Sequence, residues 1–123
     1  MYIYADIIWI FIIMDKETKI LKVLSESNRL RLAILLAREG EVCVCQLAAA
    51  VDEPEYKVSR HLGIMRAAGL VTARREGTWM YYTLAEPSCP LQSHLIVFLK
   101  TGFNSHPTVK ADRKLLKQVK CRT

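Results

Sequence analysis

No apolar run in this chain approaches the roughly 20 residues that a membrane-spanning helix requires. The longest, Ile7 to Met14 (IIWIFIIM), has eight residues and lacks the basic leader and small-residue cleavage site of a secretion signal. Cysteines at 43, 45, 89 and 121 are too sparse for a secreted disulfide scaffold, and no export signal accompanies them. A reducing cytoplasm with free thiols is the expectation, with no membrane partner. Also missing are a glycine-rich phosphate loop, a His-Glu-x-x-His zinc pair and a nucleophile with its base. No thioredoxin-like βαβ pattern surrounds Cys43. The chain does not read as an enzyme, and no repeat or low-complexity block breaks it up.

What is present describes one folded domain. The 123 residues suffice for a single modest core, and 51% hydrophobic against 24% charged residues exclude a disordered chain. Eighteen basic residues against twelve acidic ones give a net charge of +6, which favours an anionic partner such as nucleic acid. The apolar extension at 1–14 is compositionally foreign to the polar, helix-forming sequence that follows at Asp15-Lys16-Glu17. Met14 is read as the true start, with residues 1–13 coming from an upstream start codon. The competing reading is an extra apolar element packed on a dimer surface.

Ile20, Leu21, Val23 and Leu24 mark a first helix from Asp15. After capping residue types at Ser25 to Asn28, Leu32, Leu35 and Leu36 recur at helical spacing up to Gly40. Gln46 to Val51 reads as a compact alanine-rich helix, broken at Asp52-Glu53-Pro54. A further helix over about Glu55 to Ala68 buries Val58, Leu62 and Met65 and is closed by Gly69. The period then changes: Leu70 to Arg75 and Trp79 to Leu84 are β-prone, with Glu76-Gly77-Thr78 as a hairpin turn. Leu91, Leu95, Phe98 and Leu99 rebuild a helical stripe, so the domain runs over 15–103. The basic tail at 104–123 forms an amphipathic helix through Val109, Leu115, Leu116 and Val119, or frays.

Two helices with a tight break, followed by a β-hairpin, make a mainly α winged helix-turn-helix that lays its second helix in the major groove and its wing along the backbone. With Val58, Leu62 and Met65 on the core side, Tyr56, Lys57, Ser59 and Arg60 face outward. Arg60 offers a fork of donors to guanine or phosphate, Ser59 permits close contact and Tyr56 can hydrogen-bond a phosphate. His61 reads as a structural or DNA-side residue, and Arg74 and Arg75 beside the turn suit backbone contact.

Cys43-Val44-Cys45 precedes the first helix of this pair. Side chains at i and i+2 on a regular helix diverge by roughly 200°, so both thiols reach one ion only from a non-helical strand and a first turn. The bland readings are a disulfide or small buried apolar side chains.

In order along the chain, Leu24-Ser25-Glu26-Ser27-Asn28-Arg29-Leu30-Arg31-Leu32, Glu41-Val42-Cys43-Val44-Cys45-Gln46-Leu47, Val58-Ser59-Arg60-His61-Leu62, Ala68-Gly69-Leu70-Val71 and Arg74-Arg75-Glu76-Gly77 running into Tyr81-Tyr82 together resemble the ArsR/SmtB family of metal-responsive repressors. The resemblance covers about Leu21 to Leu84. It implies a homodimer on double-stranded operator DNA, an inverted repeat, released when a metal or metalloid binds, with no cofactor otherwise required. It implies a dimer contact through the terminal helices, which fits Leu21, Leu24, Leu91, Leu95, Phe98 and Leu99. The Cys-Val-Cys box resembles the thiolate site of arsenite-, antimonite-, cadmium- and lead-sensing members, and thiolates favour thiophilic ions. The third cysteine of the family pattern falls on Ala48 here. Cys89 or Cys121, from either subunit, or an exogenous thiol would complete an As(III)/Sb(III) site at Cys43 and Cys45. Cadmium sensors draw cysteines from an N-terminal extension, and none precedes Cys43. Gln92-Ser93-His94 lacks the carboxylate of the zinc sensors. A thiol-redox-responsive or Cd/Pb/Zn-responsive repressor of the same fold, or a metal-blind DNA-binding protein, stand as the alternatives.

Overall fold

The computed structural model describes residues 14–119. The apolar run before Met14 and Cys121 lie outside them. Residues 14–24 form helix α1, followed by α2 (Ser27–Glu39), β1 (Val42–Cys43), α3 (Val44–Val51), α4 (Glu55–Ala67), β2 (Val71–Glu76), β3 (Trp79–Leu84), α5 (Pro90–Thr101) and α6 (Pro107–Gln118). This is the expected winged helix-turn-helix: α3 and α4 make the helix pair and β2–β3 the wing.

Helix α2 is the central pillar. Its N-cap is Glu26, whose carboxylate accepts from the Arg29 amide at 2.9 Å. It stops at Gly40, whose φ of +81° suits a residue without a side chain. All six residues from Leu32 to Ala37 are buried, because α3, α4, α5, α6 and β3 all pack on this helix. The sequence stripe of Leu32, Leu35 and Leu36 captures only one of its faces; a helix surrounded by partners is apolar all round.

Helix α3 begins earlier than the alanine-rich stretch suggests, at Val44, directly out of β1. It ends at Asp52 in the left-handed region (φ 55°). Pro54 caps α4 from outside the first turn, with the Lys57 and Val58 amides donating to its carbonyl. Val58, Leu62 and Met65 are completely buried, fixing the face that α4 turns inward. The sheet runs β1-β3-β2, all antiparallel. Val42 opposes Tyr82 and Cys43 opposes Tyr81, while Arg74 opposes Tyr81 from the other side. The wing turns at Gly77, where φ is +62°.

The segment after Phe103 resolves into α6, which folds back on α2 and α3 and buries Val109, Asp112 and Leu116. No helix among the described residues is long and apolar enough to cross a membrane.

Candidate nucleic-acid interface and thiol site

Helix α4 presents Tyr56, Ser59 and Arg60 to solvent, with Tyr56 69% exposed. Lys57 is half-buried and its ammonium lies 3.8 Å from Glu53, one helical turn back. His61 points sideways: its Nδ1 is 3.9 Å from the Glu26 carboxylate at the start of α2, and that buried nitrogen has no hydrogen bond. Of the α4 residues singled out from sequence, Tyr56, Ser59 and Arg60 therefore share the free face, while Lys57 and His61 flank it.

On the wing, Arg75 is exposed. Arg74 is tied down on three sides: its Nε and Nη2 donate to Glu41 at 3.1 and 2.7 Å, its Nη1 donates to Glu76 at 2.8 Å, and its guanidinium stacks 4.7 Å from the Tyr81 ring centroid. The hydrogen bonds from Arg74 hold the Glu41 carboxyl below the usual carboxylate range, and the two carboxylates push Arg74 upward. Glu41 is a partner that sequence reasoning missed. Its position beside the wing follows from β1 adding to the sheet, which no local pattern around a two-residue strand announces.

Cys43 closes β1 and is the N-cap of α3, and Cys45 is in the first turn of that helix. The change from strand to helix between them brings the two sulfurs to 3.4 Å, where a regular helix would splay them apart. At metal–thiolate bonds of about 2.3 Å, sulfurs this close would span one ion at an angle of roughly 95°, so the pair fits a soft ion as two ligands of a set. Cys43 is a buried free thiol, whereas Cys45 is disulfide-bonded. Ion binding to both sulfurs thus belongs to the reduced chain.

Cys89 is also free but caps α5, and no group of three or more His, Cys, Asp or Glu side chains suited to a metal comes together among the described residues. His94 is committed to its own helix, with Nδ1 2.8 Å from the Pro90 carbonyl. Gln92 is buried, accepts from Ser88 and donates to the Gly69 carbonyl, a packing role that joins α5 to the base of the wing.

Along the expected dimer surface the five leucines and one phenylalanine divide. Leu24 and Leu99 are buried within the chain itself, Leu91 and Leu95 are half-buried, and Leu21 and Phe98 are about half exposed. Val97, at 61% exposure, joins Phe98 on the open face of α5 and was not anticipated.

The sequence pattern of the arsR family of bacterial regulatory proteins matches residues 26–73. The arsenic resistance transcriptional regulator ArsR1 of Pseudomonas putida is 45% identical over 71 residues, 58% of this chain and 55% of that one. The regulator ArsR2 of the same organism is 38% identical over 86 residues, 70% of this chain and 74% of that one. The chain thus spans little more than half the length of ArsR1. Among solved structures, the homodimeric winged helix-turn-helix DNA-binding domain of a possible ArsR-family regulator from Mycobacterium bovis superimposes with a TM-score of 0.62 at 30% identity, covering 77% of this chain and 84% of that one.

Proposed function

Because this chain belongs to the ArsR family of bacterial regulatory proteins, whose fold is that of DNA-binding regulators and not of enzymes, we propose that it is a homodimeric transcriptional repressor. It occupies an inverted-repeat operator in the cytoplasm and leaves it when arsenite, antimonite or another thiophilic ion binds Cys43 and Cys45. Tyr56, Ser59 and Arg60 enter the major groove, and Arg74 and Arg75 follow the backbone.

The observation that carries the sensing role is the 3.4 Å sulfur pair at the junction of β1 and α3. One sulfur belongs to the sheet that forms the wing, and the other to the first helix of the helix-turn-helix. An ion that draws both onto itself pulls on two DNA-contacting units at once. It releases DNA only if it binds the shape that does not fit the groove more tightly than the shape that does. Since Cys89 does not join Cys43 and Cys45 within the described residues of one chain, a third thiolate from the second subunit, from Cys121 or from a small external thiol completes the site.

The disulfide at Cys45 supports a second reading, in which oxidation itself is the signal. Operator release measured by fluorescence anisotropy separates the two. Arsenite added in a reducing buffer should release the reduced protein, and Cys43→Ser or Cys45→Ser should bind the operator normally but stay on it. If oxidant alone releases DNA while arsenite does not, the redox reading replaces the ion reading.

A further inference from the structure

The exposed face of α4 changes character halfway along. Its first half carries hydrogen-bonding side chains, Tyr56, Ser59 and Arg60; its second half carries Gly63, Ile64 and Ala67, which have none. At about 100° per residue, Gly63, Ile64 and Ala67 all lie within roughly 60° of Arg60, opposite the buried trio of Val58, Leu62 and Met65. Arg66, the one charged residue in this half, sits about 120° round from Arg60. Homeodomain recognition helices read bases from positions with this same i, i+3, i+4, i+7 spacing.

Two features of this half have no explanation among the described residues. Ile64 is 41% exposed on a helix whose other large aliphatic side chains are completely buried. Gly63 occupies a helix interior, where glycine is less stable than alanine, yet a Cβ placed there would meet nothing within 4 Å. Neither packing nor backbone strain calls for glycine at this position; a surface approaching from outside would.

Resting on the reading of α4 as the recognition helix, we propose that Ile64 is a specificity-determining residue that reads the 5-methyl group of a thymine in the major groove, and that Gly63 lets the helix axis come close enough for it to do so. Thymine is the base whose major-groove edge offers an apolar group, and aliphatic side chains discriminate it by that contact. Arg60 and Ile64 are about 6 Å apart along the axis, so they address neighbouring base pairs of one half-site. The guanidinium supplies the polar contact and the isoleucine the apolar one.

The test replaces each thymine of the operator half-site in turn by deoxyuridine, which removes only the methyl group, and measures affinity by anisotropy. For the wild-type protein one thymine per half-site should show a loss of about fourfold, the value of one buried methyl group. In Ile64→Ala that deoxyuridine penalty should vanish, with both operators bound equally and more weakly than wild type binds the thymine form. Gly63→Ala should raise the melting temperature while weakening operator binding. Specific operator binding with no thymine sensitive to demethylation, or a penalty that survives in Ile64→Ala, overturns the readout and leaves the repressor reading intact. A wild-type protein that binds no operator specifically overturns both.

Discussion

Arg31 and Asp112 lie 81 positions apart and meet as a two-pronged ion pair, with Nε 2.9 Å from Oδ2 and Nη2 2.7 Å from Oδ1. The carboxylate is almost fully buried, while the guanidinium keeps about a quarter of its surface. The same arginine donates to Asn28 Oδ1 at 3.1 Å, so the pair locks α6 against α2. Asp112→Asn keeps the volume but removes the charge and one acceptor. Breaking a fully buried pair costs about 3–5 kcal/mol and an exposed one under about 1; partial exposure of Arg31 places this one at about 2 kcal/mol. Chemical denaturation should register that loss, and an unchanged midpoint would mean that α6 is not held through this contact.

Arg60→Ala should weaken operator binding and flatten its salt dependence, since a phosphate that the protein no longer neutralises keeps its condensed counterions. Arg60 is exposed, so the melting temperature should stay within a degree or two of wild type. Wild-type affinity in this variant would displace Arg60 from the interface.

The open face of α5 gives a cleaner test of the dimer than its half-buried positions. Leu95 packs against the core, so a charge there would disturb the monomer as well. Val97→Glu places the charge on a side chain that is mostly exposed in the single chain but would be covered in a dimer. Sedimentation should report monomers with an intact helical circular-dichroism spectrum, and operator affinity should fall with the dimer. A persistent dimer would move the interface away from α5.

Arg74 must leave Glu41 before it can serve a phosphate. Glu41→Gln removes the charge that competes for it and should tighten operator binding at low salt by a few fold. The pH dependence has a definite sign. A carboxyl whose folded value is lowered keeps its ion pair throughout the range above the ordinary carboxylate value and loses it only as the pH falls through the lowered one. The wild-type pair therefore persists at neutral pH, and titrating from pH 8 to 6 should not mimic the variant. Weaker binding by Glu41→Gln would make Glu41 a positioner of Arg74 instead of its competitor.

Binding of an ion at Cys43 and Cys45 displaces the thiol protons. A divalent thiophilic ion such as cadmium sends those protons to the buffer, so its affinity for the reduced protein should rise with pH. Arsenous acid brings its own hydroxyl groups, which leave with the protons as water, so its affinity should change little across neutral pH. Calorimetry in buffers of different ionisation enthalpy would count the protons. Cadmium binding without proton release would exclude a thiolate site.

Much of this protein was legible in its sequence because the signals are local. Apolar residues three and four apart place α2 and α4, the Gly77 turn places the wing, and Val58, Leu62 and Met65 orient α4 by periodicity alone. Two thiols separated by one residue at a strand-to-helix change required only the difference between the two backbone geometries. What the tertiary structure decided are relationships between distant segments. A two-residue strand gains its place in the sheet from Tyr81 and Tyr82, and so carries Glu41 to Arg74. The polar segment after Phe103 becomes a packed helix because Arg31 stands ready to receive Asp112. Leu24 and Leu99 carry the same apolar pattern as Leu21 and Phe98, yet two turn inward and two remain open. Periodicity reports that a face is apolar; only the positions of the neighbouring helices determine whether it is covered by the chain itself.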